Sequence, residues 1–325
     1  MEEWLNCFSG VRRVAICIPN PFGGHSIELF WYGILASVGI FVGAWYAVRH
    51  IEREGESGDM VWDALLWILI PALVGGRLWY VGQVIAGGGP AGQLYLDNPL
   101  EILNFRAGGM NIFGGIVFGM AAIIIYTRST KVDGWLLTDA ALMGALLGQA
   151  VGRIGNWINQ ELYGPPTGLP WGVQIPPEAR IPPWTNLTAF PETTRFHPTF
   201  FYEAIWLLLS FGLLYYVTHR YQDRLVRGAL TGGYLLLAGV GRFWIEWFRP
   251  DQPTVPLNPP YDNISFARLF SLVYILIGAL ILLDRYDHVR IPGLKRPGGP
   301  VKRKGLAKTP PKRKKRRKRT KPHRT

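Results

Sequence analysis

The sequence predicts an all-α polytopic membrane protein of about seven transmembrane helices, with its N-terminus outside, its C-terminus in the cytoplasm and a disordered basic tail. Three observations carry this. Apolar residues make up 49% of the 325, and the 39 glycines suit helices whose backbones pack closely within lipid. Seven segments each supply the roughly 20 mostly apolar residues that a spanning helix needs. Lysine and arginine concentrate in alternate connections between these segments, as cytoplasmic loops require. A water-soluble helical protein could contain one or two such runs, and seven argue against that class.

The first span is Ile27–Val48. The preceding segment, residues 1–26, lacks a basic region leading into an apolar one, so this span is expected to act as an uncleaved signal. Cys7 and Cys17, the only cysteines, lie in that outer segment; they can pair in an oxidising compartment but make neither a framework nor a metal site. Arg49 and Arg53 follow the span among acids and orient it weakly. The second span, Met60–Ile85, holds Gly75-Gly76-Arg77, which sets a cation inside an apolar run. The third, Gly109–Tyr126, begins within the glycine-rich stretch 108–115, which contains Gly109, Gly114 and Gly115. Such glycines let a backbone approach a ligand or another helix closely, and close helix packing accounts readily for both clusters. No strand–turn–helix context makes them a nucleotide fingerprint.

The fourth span, Trp135–Gly152, lies between Arg128 and Lys131 on one side and Arg153 on the other. A long connection follows, in which Arg180 and Arg195 are offset by Glu178 and Glu192. Pro198 suits the first turn of the fifth span, Thr199–Thr218, where its missing N–H costs nothing. Arg220, Arg224 and Arg227 then precede the sixth span, Gly228–Trp247, and Ile264–Leu283 is the seventh. Positive connections alternate with nearly balanced ones, and the tail decides the orientation.

The net charge of +13 belongs to that tail: sixteen Lys/Arg lie between Lys295 and Arg324 with no acid, leaving the rest at about −3. Residues 298–325 have no apolar periodicity and read as disordered. Directly after a membrane helix, such a run is expected to meet anionic lipid headgroups rather than nucleic acid, at about 1 kcal/mol per basic residue near the surface. An orienting or solubilising role would explain it equally. The chain thus divides into an outer segment 1–26, a membrane domain 27–285 and a basic tail 286–325.

The chemistry gathers at span ends. Gly152 to Gly164 reads GRIGNWINQELYG. An arginine at the centre of a membrane helix costs about 2.5 to 3.5 kcal/mol on insertion scales, so a chain that keeps one usually uses it. Arg153, Asn156 and Asn159 are three apart, so consecutive pairs share a face if the helix continues. Together they make a donor-rich surface suited to phosphate oxygens. A snorkelling arginine at a polar helix end is the alternative. Arg242, Glu246 and Arg249 share a face too, among aromatic and aliphatic residues, so this stripe looks into the bundle or a wet cavity. Glu246 either locks the arginines for an anionic ligand or completes a structural ion-pair network. His197 stands at the mouth of the fifth span with Tyr202 and Glu203 one turn in; it is either a hydrogen-bonded structural residue or a base. No metal-ligand spacing, serine nucleophile elbow or Walker lysine occurs. Arginines, amides and carboxylates around one half of a lipid-embedded bundle suit a phosphate-bearing amphiphile.

GRIGNWINQELYG closely resembles the signature of prolipoprotein diacylglyceryl transferases. Flanking features agree in order: FWYG at Phe30–Gly33, GGR at Gly75–Arg77, the glycine-rich stretch, HP…YE at His197–Glu203 and RFWIEWFR at Arg242–Arg249. The likeness runs from about residue 27 to 285. It implies a seven-helix, multi-pass enzyme of the bacterial inner (plasma) membrane. Members transfer the diacylglyceryl group of phosphatidylglycerol to the thiol of a lipobox cysteine in a prolipoprotein signal peptide. A thioether forms and glycerol 1-phosphate leaves; no metal or cofactor is expected, because the donor carries its own leaving group. Arg153 and Arg242 match the family's essential arginines and are expected to clamp the phosphate. Asn156 and Glu161 match signature positions and would orient the headgroup or the clamp, with Tyr32, Arg77, Glu246 and Arg249 supporting them.

The chain departs from the family's pattern twice. Many members write HGG in the glycine-rich stretch, where this chain has Phe113 before Gly114-Gly115. Some have a tyrosine one turn before the second arginine, where this chain has Ala238, with Tyr234 a further turn back. Either neither side chain is universally required as a base, or this chain is a member with lost or altered chemistry. Thiol activation is expected from cationic surroundings, since a thiol of pKa near 8.5 is already a few per cent thiolate, with His197 or Glu161 as proton acceptor. The contrasting class is a transporter or lipid-binding scaffold, but no internal repeat of the kind common in transporters stands out.

Overall fold

The computed structural model describes residues 14–18, 27–105, 108–249, 254–255 and 264–292. Cys7, the side chain of Cys17 and the basic run from Lys295 onward lie outside the described residues, so the expectations placed on them meet no structural observation.

Among the described residues, eight α-helices follow one another: α1 (Trp31–Arg53), α2 (Asp59–Gly87), α3 (Gly89–Asp97), α4 (Ile112–Thr130), α5 (Gly134–Ile158), α6 (Thr199–Arg220), α7 (Ala229–Ile245) and α8 (Phe266–Arg285). Among the described residues, α1, α2, α4, α5, α6 and α8 are long and apolar enough to cross a membrane. The remaining expected span, α7, has 17 residues and tightens into a 3₁₀ turn at Glu246–Phe248. At 1.5 Å per residue it reaches about 26 Å, just short of a typical hydrocarbon core. The apolar run could not reveal this shortening, because Trp247 and Phe248 continue it past the end of the α-helix.

Among the described residues, strand is confined to small antiparallel pairs. The pair β1 (Val14–Ile18) and β2 (Ile27–Phe30) moves the start of the first helix from Ile27 to Trp31. The long connection carries β3 (Val173–Gln174) paired with β4 (Arg195–Phe196), and β5 (Thr254–Val255) pairs with β6 (Ile264–Ser265) ahead of α8. That connection has its own core of Tyr163, Ile175, Trp184 and Phe196, which packs on Phe200 at the start of α6. Arg180 is buried there, donating to the carbonyls of Ile175, Phe190 and Glu192 and stacking on the Phe196 ring.

Small residues decide which helices touch. A Cβ on Gly43 of α1 would stand 2.9 Å from the Gly144 carbonyl oxygen of α5, and one on Gly39 would stand 2.7 Å from that of Gly148. These backbones meet directly, which replaces the hydrophobic driving force that lipid does not supply. The same device joins α7 to α8, where a Cβ on Gly239 would lie 2.7 Å from the Ser271 carbonyl oxygen. It also joins α2 to α4 through Gly75, Gly76 and Gly114. Helix α6 contacts both α5 and α7. The lipid-facing sides stay bare: Leu209 is 64% exposed, Ile70 61% and Phe41 60%. Soluble monomers rarely show contiguous apolar surface on this scale.

One buried carboxylate ties α5 to the start of α7. Gly228, in the left-handed region at φ 93°, offers α7 no capping side chain. Asp139 of α5 accepts instead from the N–H of Gly228 at 2.6 Å, the N–H of Thr231 at 2.7 Å and the Thr231 hydroxyl at 2.6 Å. The unpaired amides and the positive end of the helix dipole are thereby satisfied from a neighbouring helix.

Candidate functional site at the junction of three helices

Helix α5 runs past the apolar stretch to Ile158, with Asn159 at its C-terminal boundary, so Arg153 and Asn156 are helical. Gln160 and Leu162 then take positive φ of 55° and 58° and turn the chain sharply. The turn folds Glu161 back onto the helix end. Its backbone N–H donates to the Asn156 carbonyl at 3.0 Å, and its Oε1 accepts from Asn156 Nδ2 at 2.8 Å and Asn159 Nδ2 at 3.4 Å. Asn156 Oδ1 in turn accepts from Arg153 Nη1 at 3.2 Å. The signature's polar residues thus form one chain of contacts ending on Arg153.

Glu203 is the hub. It sits one turn into α6 with its side chain buried. Its Oε2 pairs with Arg153 Nη2, while its Oε1 lies 3.5 Å from Arg242 Nη1 and 3.9 Å from Arg249 Nη1. Arg242 Nη2 also meets Glu246 Oε2 at 3.1 Å. Three arginines, on α5, on α7 and just past the 3₁₀ turn that ends α7, therefore converge on one carboxylate of α6. Counting Glu161 and Glu246, the cluster holds three formal charges of each sign, which makes burial tolerable. The arginine side chains of Arg153 and Arg242 remain 25% and 28% exposed, so an anion can reach them.

His197 borders this cluster. Its Nδ1 lies 3.1 Å from the Tyr202 hydroxyl, which also accepts from Trp171 Nε1 at 2.9 Å, and its ring centroid is 5.0 Å from that of Phe248. Burial among these rings holds its pKa below the ordinary 6.5 and favours the neutral imidazole. Gly164 closes the signature: a Cβ there would meet the Phe248 carbonyl oxygen at 2.8 Å and His197 Cβ at 2.9 Å. Tyr32 comes beside the same end of α5, its ring 3.2 Å from where a Gly155 Cβ would stand.

Arg77 and the glycine-rich stretch are not brought to this cluster. The Arg77 side chain is buried and spends its fork on backbone carbonyls: Ile102 at 2.9 Å, Glu101 at 2.8 Å, Gly109 at 3.0 Å, and Gly108. It pins the segment after α3 onto α2. Gly109, at φ 75°, packs against the Tyr80 ring, and Gly114 against the Gly75 backbone. Gly115 lines an apolar cavity of about 400 Å³ between α2 and α4, with Ala72, Gly76 and Ile116 among its walls. Phe113 points towards Phe270 of α8, ring centroids 5.9 Å apart.

The sequence places Glu203 one turn into the fifth span but does not show its partners, and it gives Asp139 and Gln149 no role. Each is a polar residue within an apolar run, and that was the available signal. Gln149 Nε2 donates to the Tyr234 hydroxyl at 2.8 Å, linking α5 to α7.

A family model described as prolipoprotein diacylglyceryl transferase matches residues 21–283. Three curated relatives carry the name phosphatidylglycerol–prolipoprotein diacylglyceryl transferase. The protein of Chloroflexus aggregans is 36% identical over 271 residues, 80% of this chain and 87% of that protein. That of Synechococcus elongatus is 34% identical, over 83% of this chain and 89% of its own length. That of Enterococcus faecalis is 34% identical, over 83% and 90%.

Proposed function

The chain belongs to the prolipoprotein diacylglyceryl transferase family, and from that we propose that it carries out the first step of lipoprotein maturation. It moves the diacylglyceryl group of phosphatidylglycerol to the thiol of a lipobox cysteine. The sulfur attacks the glycerol carbon that bears the phosphate, a C–S bond forms, the C–O bond to phosphate breaks, and glycerol 1-phosphate leaves with the bonding electron pair. The observation that carries this reading is the convergence of Arg153, Arg242 and Arg249 on Glu203. Charge develops on the leaving phosphate, and guanidinium forks already oriented by a buried carboxylate stabilise it without reorganisation.

The cluster's balanced formal charge refines how the thiol is activated. Three carboxylates offset the three arginines at rest, so the site offers directed donors rather than excess positive charge. Proton acceptance falls to a neighbouring base: His197, kept neutral by burial, or Glu161, held by two amides. Asn156 and Asn159 set the Glu161 carboxylate, Tyr202 orients His197, and Tyr32 borders the lipid headgroup.

The multi-pass chain resides in the bacterial inner membrane, with the arginine cluster at the outer leaflet and residues 286–325 in the cytoplasm, where the basic run contacts anionic headgroups. The unit 27–285 carries the chemistry.

The test is thioether formation on a lipobox peptide with phosphatidylglycerol, comparing purified wild type with Arg153→Ala. Wild-type transfer, reduced at least about a hundredfold in a folded variant, is the expected outcome. An inactive wild type that still binds the lipid would turn the reading towards a lipid-binding scaffold.

A further inference from the structure

Gln149 and Tyr234 form a polar pair inside the membrane domain that the arginine chemistry does not use. Both lie within helices, Gln149 on α5 and Tyr234 on α7, and the amide donates to the phenol at 2.8 Å. Gln149 sits one turn from Arg153 on the same face of α5, displaced about 6 Å towards the middle of the helix. Tyr234 lies two turns, about 12 Å, from Arg242 along α7, just past the middle of that helix, and is reached by the Gln149 amide. Gln149 remains exposed and Tyr234 half-buried, so the pair is accessible to a ligand. An exposed amide at this depth faces a cavity or a ligand rather than bare hydrocarbon, because polar groups in lipid are costly. Among the described residues, its hydrogen bonding is incomplete. The amide has a second N–H, and the phenol, which accepts from Gln149, keeps its own O–H for donation.

A diacyl phospholipid presents acceptors at this place. With its phosphate on Arg153 and Arg242, its ester carbonyls lie one glycerol unit deeper, a displacement close to the roughly 6 Å rise between Gln149 and Arg153 along α5. We propose that Gln149 and Tyr234 form a subsite for the acyl-ester carbonyls of the donor lipid, selecting ester-linked over ether-linked diradylglycerol. This rests on the transferase reading for the identity of the donor. The phosphate is common to both lipid types, so the arginines cannot make this distinction, whereas a donor aimed at a carbonyl can.

The experiment measures affinity of the purified protein in nanodiscs for dioleoyl phosphatidylglycerol and for its dialkyl ether analogue. It uses wild type, Tyr234→Phe, Gln149→Leu and, as a reference, Arg153→Ala. The expected result is a wild-type preference for the ester of about three- to tenfold, the yield of one or two net hydrogen bonds. Tyr234→Phe and Gln149→Leu should lower ester affinity to the ether level, and Arg153→Ala should weaken both lipids alike. Equal wild-type affinity for the two lipids, or a preference that survives in both pair variants, overturns the subsite. Transfer to a lipobox peptide is measured in parallel. Its absence alongside an intact ester preference counts against the transferase reading and not against the subsite.

Discussion

A single arginine illustrates how residue type sets role at this site. Arg153 contacts Asn156 with one terminal nitrogen and Glu203 with the other, a division that one ammonium on a flexible stem cannot reproduce. Arg153→Lys is therefore expected to keep the charge yet lose roughly tenfold or more in kcat/KM for thioether formation; wild-type kinetics in that variant would show that charge alone suffices. His197 makes a prediction about pH. Burial lowers its folded pKa below 6.5, so between the two values the unfolded chain binds more protons than the native one. The neutral ring's contribution to stability is complete above about pH 6.5 and is lost as pH falls through that value towards the folded pKa. The thermal stability of the wild type should accordingly fall more steeply below about pH 6.5 than that of His197→Gln. Parallel profiles would remove His197 as the titrating group. Its catalytic part is read separately: a double His197→Ala, Glu161→Gln variant should lose transfer, and comparable activity would rule out both as necessary acceptors.

At the scale of elements, what matters is how closely two helices approach. Gly43→Val places its Cβ near 2.9 Å from a backbone carbonyl of α5, and neither helix can yield without separating. A loss of about 1 to 3 kcal/mol in detergent unfolding is expected, as for overpacked cores. Gly212→Ala is the contrast: a Cβ there meets nothing within 4 Å, so the substitution should be neutral or slightly stabilising through helix propensity. Asp139→Ala tests the cap that α5 supplies to α7. It leaves the Gly228 and Thr231 amides unsatisfied at a buried helix start, and a loss of about 2 kcal/mol is expected. Because α7 carries Arg242, transfer should fall with that loss, and the two measured together show whether register and site are coupled.

For the whole molecule the open quantity is orientation. The long connection with its own aromatic core and the arginine cluster share one end of the bundle, since Gly164 packs on His197 and Phe248. A Cys-free background made by Cys7→Ser and Cys17→Ser, carrying either Asn186→Cys or Gln222→Cys, reports the side of each end. A membrane-impermeant maleimide added to spheroplasts should label the first and spare the second. The reverse pattern would invert the topology read from the basic tail.

Much of this architecture is legible without coordinates, because hydropathy summed over about 20 residues is a local property and each span declares itself. Six of the expected spans became long apolar helices, and of the signature's residues Arg153 and Asn156 lie in the last turns of α5 while Asn159 caps it. The sequence alone also determined the family and the identity of the polar residues near span ends. Only tertiary structure decided which of them meet. Arg77 and Arg153 look alike in sequence, each a cation beside glycine in an apolar run, yet one is spent on loop carbonyls and the other joins Glu203. The partners of Asp139 and Gln149 lie on α7, far along the chain. Pairings of this kind depend on helix rotation and axial register, which the glycine contacts between backbones fix, and a periodic apolar pattern leaves those two variables open.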